Sequence, residues 1–379
     1  MKRFAGSFVT GAALAVGFVA IGAATAEAHG PRNGPPFSSG RHARPLEILE
    51  QGSWYLGGRI KFSEANYGAP SPPFGPGDIS VDHIYVQYQI PKDQKYRYPV
   101  IMVHGGGHTG KTYETTPDGR EGWFTSFARR GFSPFVVDDP NRGRACCEPT
   151  QIHLVRLGAL AGTNTPPATT LPLTSIYSKQ TAWTGFRFGT TYGVPNPGAQ
   201  FPFEAIDQYA AQWVFTYRDA VEIDKITAGI IAVIDHLGPC IVVTHSQSGT
   251  PGRRAAAARA SLVKGLVAIE GGAALPQGSP EEATLAKVPL LQVEGDFMTP
   301  EQQAARKAIT TRMASIGADA TTIILPEIGI KGNTHMMMMD KTSEKVADVV
   351  EKWIKGHVRN VRGEYLPRKH DDDDDDHHH

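Results

Sequence analysis

Apolar and polar residues along the chain fall into blocks with two distinct periods. Around Ile79 to Ile90 the apolar positions Val81, Ile84, Val86 and Tyr88 alternate with polar ones, the signature of a half-buried strand; Gly52 to Ile60 reads the same way. These two blocks predict an antiparallel start to a sheet. Tyr98 to Val103 is continuously apolar, as a strand buried on both faces must be, and it empties into Gly105-Gly106-Gly107. A helix through Trp123 and Phe127 and a strand from Phe132 to Val137 follow. Helical spacing returns from Ala220 to Leu237, ahead of the β-branched run Ile241 to Thr244 and an Ala-rich helical stretch, Arg253 to Leu262. Beyond it the alternation is regular. Strands are expected at Gly265 to Ile269, Val288 to Val293 and Thr321 to Leu325, with helices from about Pro280, over Pro300 to Ile316, and from about Met336 to Val358. Strands alternating with helices imply an α/β fold with a mostly parallel, doubly wound sheet. No internal repeat is present.

One stretch breaks this rhythm. From Glu148 to about Tyr217 prolines and aromatics dominate, among them Tyr177, Trp183, Phe186, Phe188, Phe203 and Trp213. An irregular segment of that length inside a compact domain is ordinarily functional, and its aromatic content opposes disorder. We expect a cap or lid over residues 148–217, inserted before the helix that precedes the 241–244 strand. The whole domain is expected over 52–358.

Composition refines the ends. The chain has 379 residues, 40% of them hydrophobic, enough for one large domain. Lys2 and Arg3, an apolar stretch from Phe4 to Ala24 and the small-x-small sites at Ala24 to Ala28 read as a secretory signal over residues 1–28. A secreted or periplasmic protein without a stable membrane anchor is implied. Residues 29–51 form an irregular lead-in. The run Asp371 to Asp376 supplies six of the 38 acidic residues, leaving 32 against 38 basic ones, a balance that favours no nucleic-acid partner. With His377 to His379 it belongs to a tail, residues 359–379, outside the fold. Cys146 and Cys147 are neighbours, and in an oxidising setting their pairing is the one to ask about. Such a bridge closes almost no loop, so its use would be to fix a local backbone shape. Cys240 reads as a small buried apolar residue.

The chemistry concentrates at Thr244-His245-Ser246-Gln247-Ser248-Gly249. A strand entering a helix through a sharp turn lifts the apex side chain clear, and it needs small residues two positions to either side. Ser246 is at the apex. Thr244 and Ser248 stand where glycines are usual, and both are small. A serine is a weak nucleophile without a base, and the base needs a group to hold its ring. Reacting groups in a parallel sheet gather past the carboxyl ends of strands. His335, in Lys331-Gly332-Asn333-Thr334-His335, follows the last strand and is the candidate base; His104, His108, His153 and His245 are its competitors. Glu270 and Asp296 both follow strand ends between the serine and the histidine, with Glu294 a weaker third. Spacing leaves the acid open, and the general order favours Asp296, one strand before the histidine. Oxyanion donors are expected from the N–H of Gln247 and from the loop Gly105, Gly106, Gly107. No Gly-Lys-Ser/Thr follows those glycines, which removes a phosphate-binding reading. No cysteine or histidine pair has zinc-ligand spacing, and no metal or cofactor is implied. Trp183, Phe186 and Phe203 are expected either to line an apolar pocket or to pack the cap's own core. Met336 to Met339 are expected either to line the acyl side or to pack the last helix.

The set His104 to Gly107, Thr116-Pro117-Asp118-Gly119-Arg120-Glu121-Gly122-Trp123, Asp139-Pro140-Asn141-Arg142-Gly143-Arg144 with its adjacent cysteines, the Ser246 turn and Gly332 to His335 resembles a group of secreted bacterial α/β-hydrolase serine esterases. The resemblance spans about Gly52 to Val358, and the Asn-Arg-Gly-x-x-Cys-Cys run is its most specific element. It implies the α/β-hydrolase fold, a disulfide between Cys146 and Cys147 near the oxyanion hole, and a glutamate after the strand that follows the nucleophile. That makes Glu270 the triad acid and Asp296 the runner-up. The expected substrate is a small-molecule or polymeric ester. Amidase, lactonase or polyester hydrolase activity would use the same residues, and a catalytically silent binding protein could share the fold. A homodimer is compatible with all of this.

Overall fold

The computed structural model describes residues 45–63, 77–146, 173–218 and 221–367. The signal segment, the tail beyond residue 367, His153, Cys147 and residues 148–172 of the expected cap lie outside them.

The first two blocks form the strands β1 (Ile48–Ser63) and β2 (Gly77–Pro91), paired antiparallel as expected. The chain continues through β3 (Val100–Val103), helix α1 (Trp123–Arg129) and β4 (Pro134–Asp138). The short strands β5 (Leu173–Ser175) and β6 (Thr216–Arg218) pair with each other and bracket helices α2 (Lys179–Gly185) and α3 (Ile206–Ala211). Helix α4 (Glu222–Leu237) leads into β7 (Cys240–His245). Then come α5 (Gly249–Ala258), β8 (Val263–Ile269), α6 (Pro280–Leu285), β9 (Leu290–Glu294), α7 (Pro300–Ser315), β10 (Ala320–Ile324) and α8 (Ser343–His357). The main sheet has eight strands in the order β1-β2-β4-β3-β7-β8-β9-β10. It is parallel from β4 to β10.

Side chains on a strand point alternately to opposite faces, and the core divides accordingly. Met102, Val136, Ile241, Val243 and Val267 pack on one face with α1 and α8. Ile101, Val137, Cys240, Val242 and Leu266 pack on the other with α4, α5 and α6. Cys240 is a free, fully buried thiol, as its place in an apolar strand suggests. Among the described residues no helix is long and apolar enough to cross a membrane.

Two helix boundaries differ from expectation. Helix α5 starts at Gly249 rather than Arg253, because Pro251 falls in its first turn, where no N–H has an intrahelical acceptor to lose. Helix α8 starts at Ser343 rather than Met336. Asp340 instead draws residues 334–343 into a turn: its carboxylate accepts from Thr334 N at 2.6 Å and from Thr334 Oγ1 at 2.9 Å. Met336 to Met339 are fully buried in that turn. Among the described residues they pack in the core cluster on the α1 and α8 face of the sheet.

Candidate active site

Strand β7 ends at His245, a single 3₁₀ turn covers Ser246–Ser248, and α5 begins directly. Ser246 has φ +53°, a left-handed conformation that a non-glycine residue keeps only when its surroundings enforce it. They do so here. Ser248 Oγ accepts from His245 N at 3.0 Å and lies 3.0 Å from the carbonyls of Val103 and His245, tying the turn to β3. Gly272 N donates to Ser246 O at 2.9 Å. The steric demand met by glycine in the usual elbow has moved elsewhere. A Cβ on Gly252 of α5 would lie 2.3 Å from Thr244 Cγ2, so the threonine methyl occupies room that Gly252 leaves.

Glu270 is the first residue past β8 and has φ +45°. It is 2% exposed. Its Oε2 receives His335 Nδ1 at 2.6 Å, while Oε1 accepts from Gly295 N at 2.9 Å and from Arg187 Nη2. Burial acts to raise the carboxyl's pKa, but the Arg187 guanidinium and the His335 hydrogen bond outweigh it and hold Glu270 well below the ordinary glutamate range. Asp296 faces elsewhere. Its Oδ2 accepts from Asn333 N at 2.9 Å and Asn333 Nδ2 at 3.1 Å, and its N–H donates to Asn333 O at 2.8 Å. It therefore fixes the loop that carries His335 without touching the ring. Glu294, the third candidate, is fully buried behind the site, and its nearest ion-pair partner is Arg306 Nε at 3.8 Å. Burial, reinforced by the charge of Glu270, pushes its pKa up to about 8.

His335 is held on three sides. Its N–H donates to Phe186 O at 3.1 Å, its carbonyl accepts from His245 Nε2 at 2.9 Å, and the Phe186 ring stacks on the imidazole with centroids 5.6 Å apart. From below, Arg120 donates to the carbonyls of Met339 and Asp340 at 2.7 and 2.9 Å. Trp123 Nε1 reaches Ser343 O at 3.2 Å. The Thr116 to Trp123 segment thus braces the histidine loop. Among the described residues the Ser246 hydroxyl has no hydrogen-bond partner; catalytic hydrogen bonds to a nucleophile often close only with substrate present.

The glycine loop packs against the apex, since a Cβ on Gly105 would lie 3.1 Å from Ser246 Cβ. His104 Nδ1 lies 2.7 Å from Gly105 O, and His108 Nδ1 lies 2.7 Å from Gly106 O. Asp139 N donates to His104 Nε2 at 3.1 Å, which assigns the His104 proton to Nδ1. Tyr209 Oη stands 3.0 Å from His108 Nε2 and can fix the same tautomer there. Burial holds His108 neutral, with its pKa pushed down to about 3. In a trans peptide C=O and N–H point oppositely, so fixing the carbonyls of Gly105 and Gly106 also fixes the N–H groups of Gly106 and Gly107. Buried Arg142 links the two expected arms: Nη2 donates to Gln247 Oε1 at 2.9 Å and also pairs with Glu222, while Nη1 lies 3.5 Å from Gly105 O.

The aromatics separate. Trp183 packs on Phe188, Tyr192 and Phe203, within segment 173–218 itself. Phe186 faces His335, and the Tyr177 ring lies over Gly107, whose Cβ, if present, would be 2.3 Å from it. Of the sequence-expected residues, the structure thus brings together Ser246, Gln247, Glu270, His335 and Gly105 to Gly107, with Phe186 at their edge. Asp296 is engaged with Asn333, Trp183 and Phe203 pack on each other, and Met336 is buried next to His335 in the chain. Arg187 and the bracing roles of Arg142, His104, His108 and His245 were missed; Arg142, His104 and His245 lie in the motifs that carry the resemblance, whereas Arg187 had no sequence signal. The Cys146–Cys147 pairing rests on a residue outside those described. Among the described residues no group of three or more His, Cys, Asp or Glu is placed to hold a metal ion.

Comparison with known proteins gives this arrangement a family. A fungal protein named "Probable secreted lipase phiG" is 30% identical over 321 residues, 72% of this chain and 85% of that one. The solved structure of a novel bacterial esterase aligns with TM-score 0.76 at 33% identity, covering 84% of this chain and 98% of the other. No protein-family model matches the chain. The chain belongs to the α/β-hydrolase family of esterases and lipases.

Proposed function

We propose that the protein is a secreted serine esterase that hydrolyses carboxylic esters through an acyl-enzyme, with Ser246 as nucleophile, His335 as base and Glu270 as the acid that orients it. The observation that carries this reading is the 2.6 Å contact between Glu270 Oε2 and His335 Nδ1. It leaves Nε2 as the nitrogen to accept a proton, on a histidine gathered with a serine lifted at positive φ. In the mechanism His335 Nε2 takes the Ser246 proton as Oγ attacks the ester carbonyl. Glu270 stabilises the imidazolium. The N–H of Gln247 and those fixed in the Gly105 to Gly107 loop receive the oxyanion. His335 then protonates the leaving alcohol, and a water activated by the same ring releases the acid. Secretion agrees with the Lys2-Arg3 leader and with the name of the fungal relative. The disulfide between Cys146 and Cys147 that the resemblance implies belongs to the same proposal.

Turnover of a short p-nitrophenyl ester by Glu270→Gln and Asp296→Asn tests the triad. We expect Glu270→Gln to lower kcat by about 10³–10⁴-fold, as replacement of a triad acid by its amide does, and Asp296→Asn to cost far less. The opposite ranking refutes the assignment.

A further inference from the structure

Arg187 belongs to the least readable part of the sequence, yet it touches the acid at the centre of the site. Its Nη2 donates to Glu270 Oε1, and its Nε donates to Asp296 O at 2.9 Å. Its backbone has φ +58° and its carbonyl accepts from Asn196 Nδ2 at 2.9 Å, so the residue is held in an otherwise unfavourable conformation by its own segment. The preceding residue supplies Phe186 O to His335 N at 3.1 Å. Two consecutive residues of segment 173–218 therefore contact the base and the acid.

We propose that Arg187 is a positioning residue for ester hydrolysis, clamping Glu270 Oε1 so that Oε2 meets His335 and so making docking of segment 173–218 a condition for an assembled triad. This rests on the Ser246, His335, Glu270 reading above. A carboxylate 1% exposed stays ionised only beside a compensating charge, and a neutral histidine does not supply one. Every other charged or titratable neighbour works poorly for that purpose. Glu294, at the end of β9, is itself pushed toward its neutral form by burial and the Glu270 charge, and has Arg306 3.8 Å behind it, so it supplies no cation. Asp340 in the histidine loop is likewise pushed toward its neutral form by burial, and Arg120 is taken up by the Asp340 carbonyl. His245, on β7, is buried and kept neutral first by that burial. Arg187 is the cation in direct contact. Removing its charge favours either a neutral Glu270 or a more tightly held imidazolium, and both push the loss of activity on acidification to higher pH.

The test is the pH dependence of kcat and kcat/KM for a short p-nitrophenyl ester with the wild type, Arg187→Met, Arg187→Lys and Glu270→Gln, alongside melting temperatures. We expect Arg187→Met to lower kcat by roughly 10–100-fold with KM changed only a few fold, the range for a displaced catalytic group. Its acidic limb should move up by about one pH unit, and Arg187→Lys, which keeps the charge without the fork, should restore most of the limb's position. An Arg187→Met profile of wild-type shape, at whatever height, overturns the proposal. If Arg187→Met does not fold, Arg187→Lys decides: a unique loss of kcat with a near-native limb supports the clamp, and wild-type kcat opposes it. Wild-type activity in Glu270→Gln would instead remove the triad reading itself, so the two failures are distinguishable.

Discussion

Ser246 and Glu270 occupy matched positions on neighbouring strands. Their predecessors His245 and Ile269 are partners in the β7–β8 register, and both residues turn to positive φ, +53° and +45°. Each such conformation costs on the order of 1–3 kcal/mol. The surroundings enforce both, through Gly272 N on Ser246 O and through Glu270 N on Val293 O, each at 2.9 Å. The pairing sets the proposed nucleophile and acid side by side at the carboxyl edge, and His335, on the loop after β10, meets Glu270 there.

The displaced elbow glycine makes a stability prediction. Alanine in place of a helical glycine normally stabilises by about 0.5–1 kcal/mol. At position 252 its Cβ would meet Thr244 Cγ2 at 2.3 Å, so we expect Gly252→Ala to destabilise by about 1–3 kcal/mol. Thr244→Ala removes that methyl and leaves Thr244 Cβ as the nearest atom, at 3.5 Å. The double variant should therefore be more stable than the sum of the singles, in chemical denaturation. Additive losses would refute the compensation.

Elbow and sheet were legible in the sequence because each rests on local pattern: the β-branched run into Ser246, and strands alternating with helices. Spacing left the candidate acid open, since Glu270 and Asp296 both follow strand ends and it cannot say which carboxylate turns toward the histidine; the resemblance alone favoured Glu270. The turn of Met336 to Met339 was misread as helix because Asp340, which captures Thr334, acts through a contact that helical propensity does not encode. Arg187 was invisible for a similar reason. An arginine in an aperiodic, aromatic segment has no sequence mark of the buried glutamate it will meet 83 residues later.

The proposed oxyanion loop is held at its carbonyls by two histidines that do no proton transfer in the proposed mechanism. His108→Leu releases the Gly106 carbonyl, and we expect kcat to fall by about 10–100-fold with little change in KM, less than loss of a donor outright. Tyr209→Phe keeps the Nδ1 contact and should cost about tenfold at most. Stopped-flow acylation rates check both, and wild-type acylation in His108→Leu would show that the carbonyl needs no anchor.

Buried Glu294 predicts a pH dependence of stability. An unfolded glutamate titrates near 4.3, whereas burial and the nearby Glu270 charge raise the folded value to about 8. A raised folded pKa contributes stability that is complete below about pH 4 and is lost progressively until about pH 8. Asp340, also pushed up to about 8 by burial, adds in the same direction. We expect Glu294→Gln to flatten the fall in melting temperature between pH 5 and pH 8, leaving the variant relatively more stable at pH 8. Parallel curves for the two proteins would contradict this.

Covalent capture by a fluorophosphonate, followed by intact mass and peptide mapping, tests the central claim most directly. The account predicts one adduct per chain, located on Ser246, and none in Ser246→Ala. An adduct on another residue, undiminished labelling of Ser246→Ala, or an unlabelled wild type would contradict it.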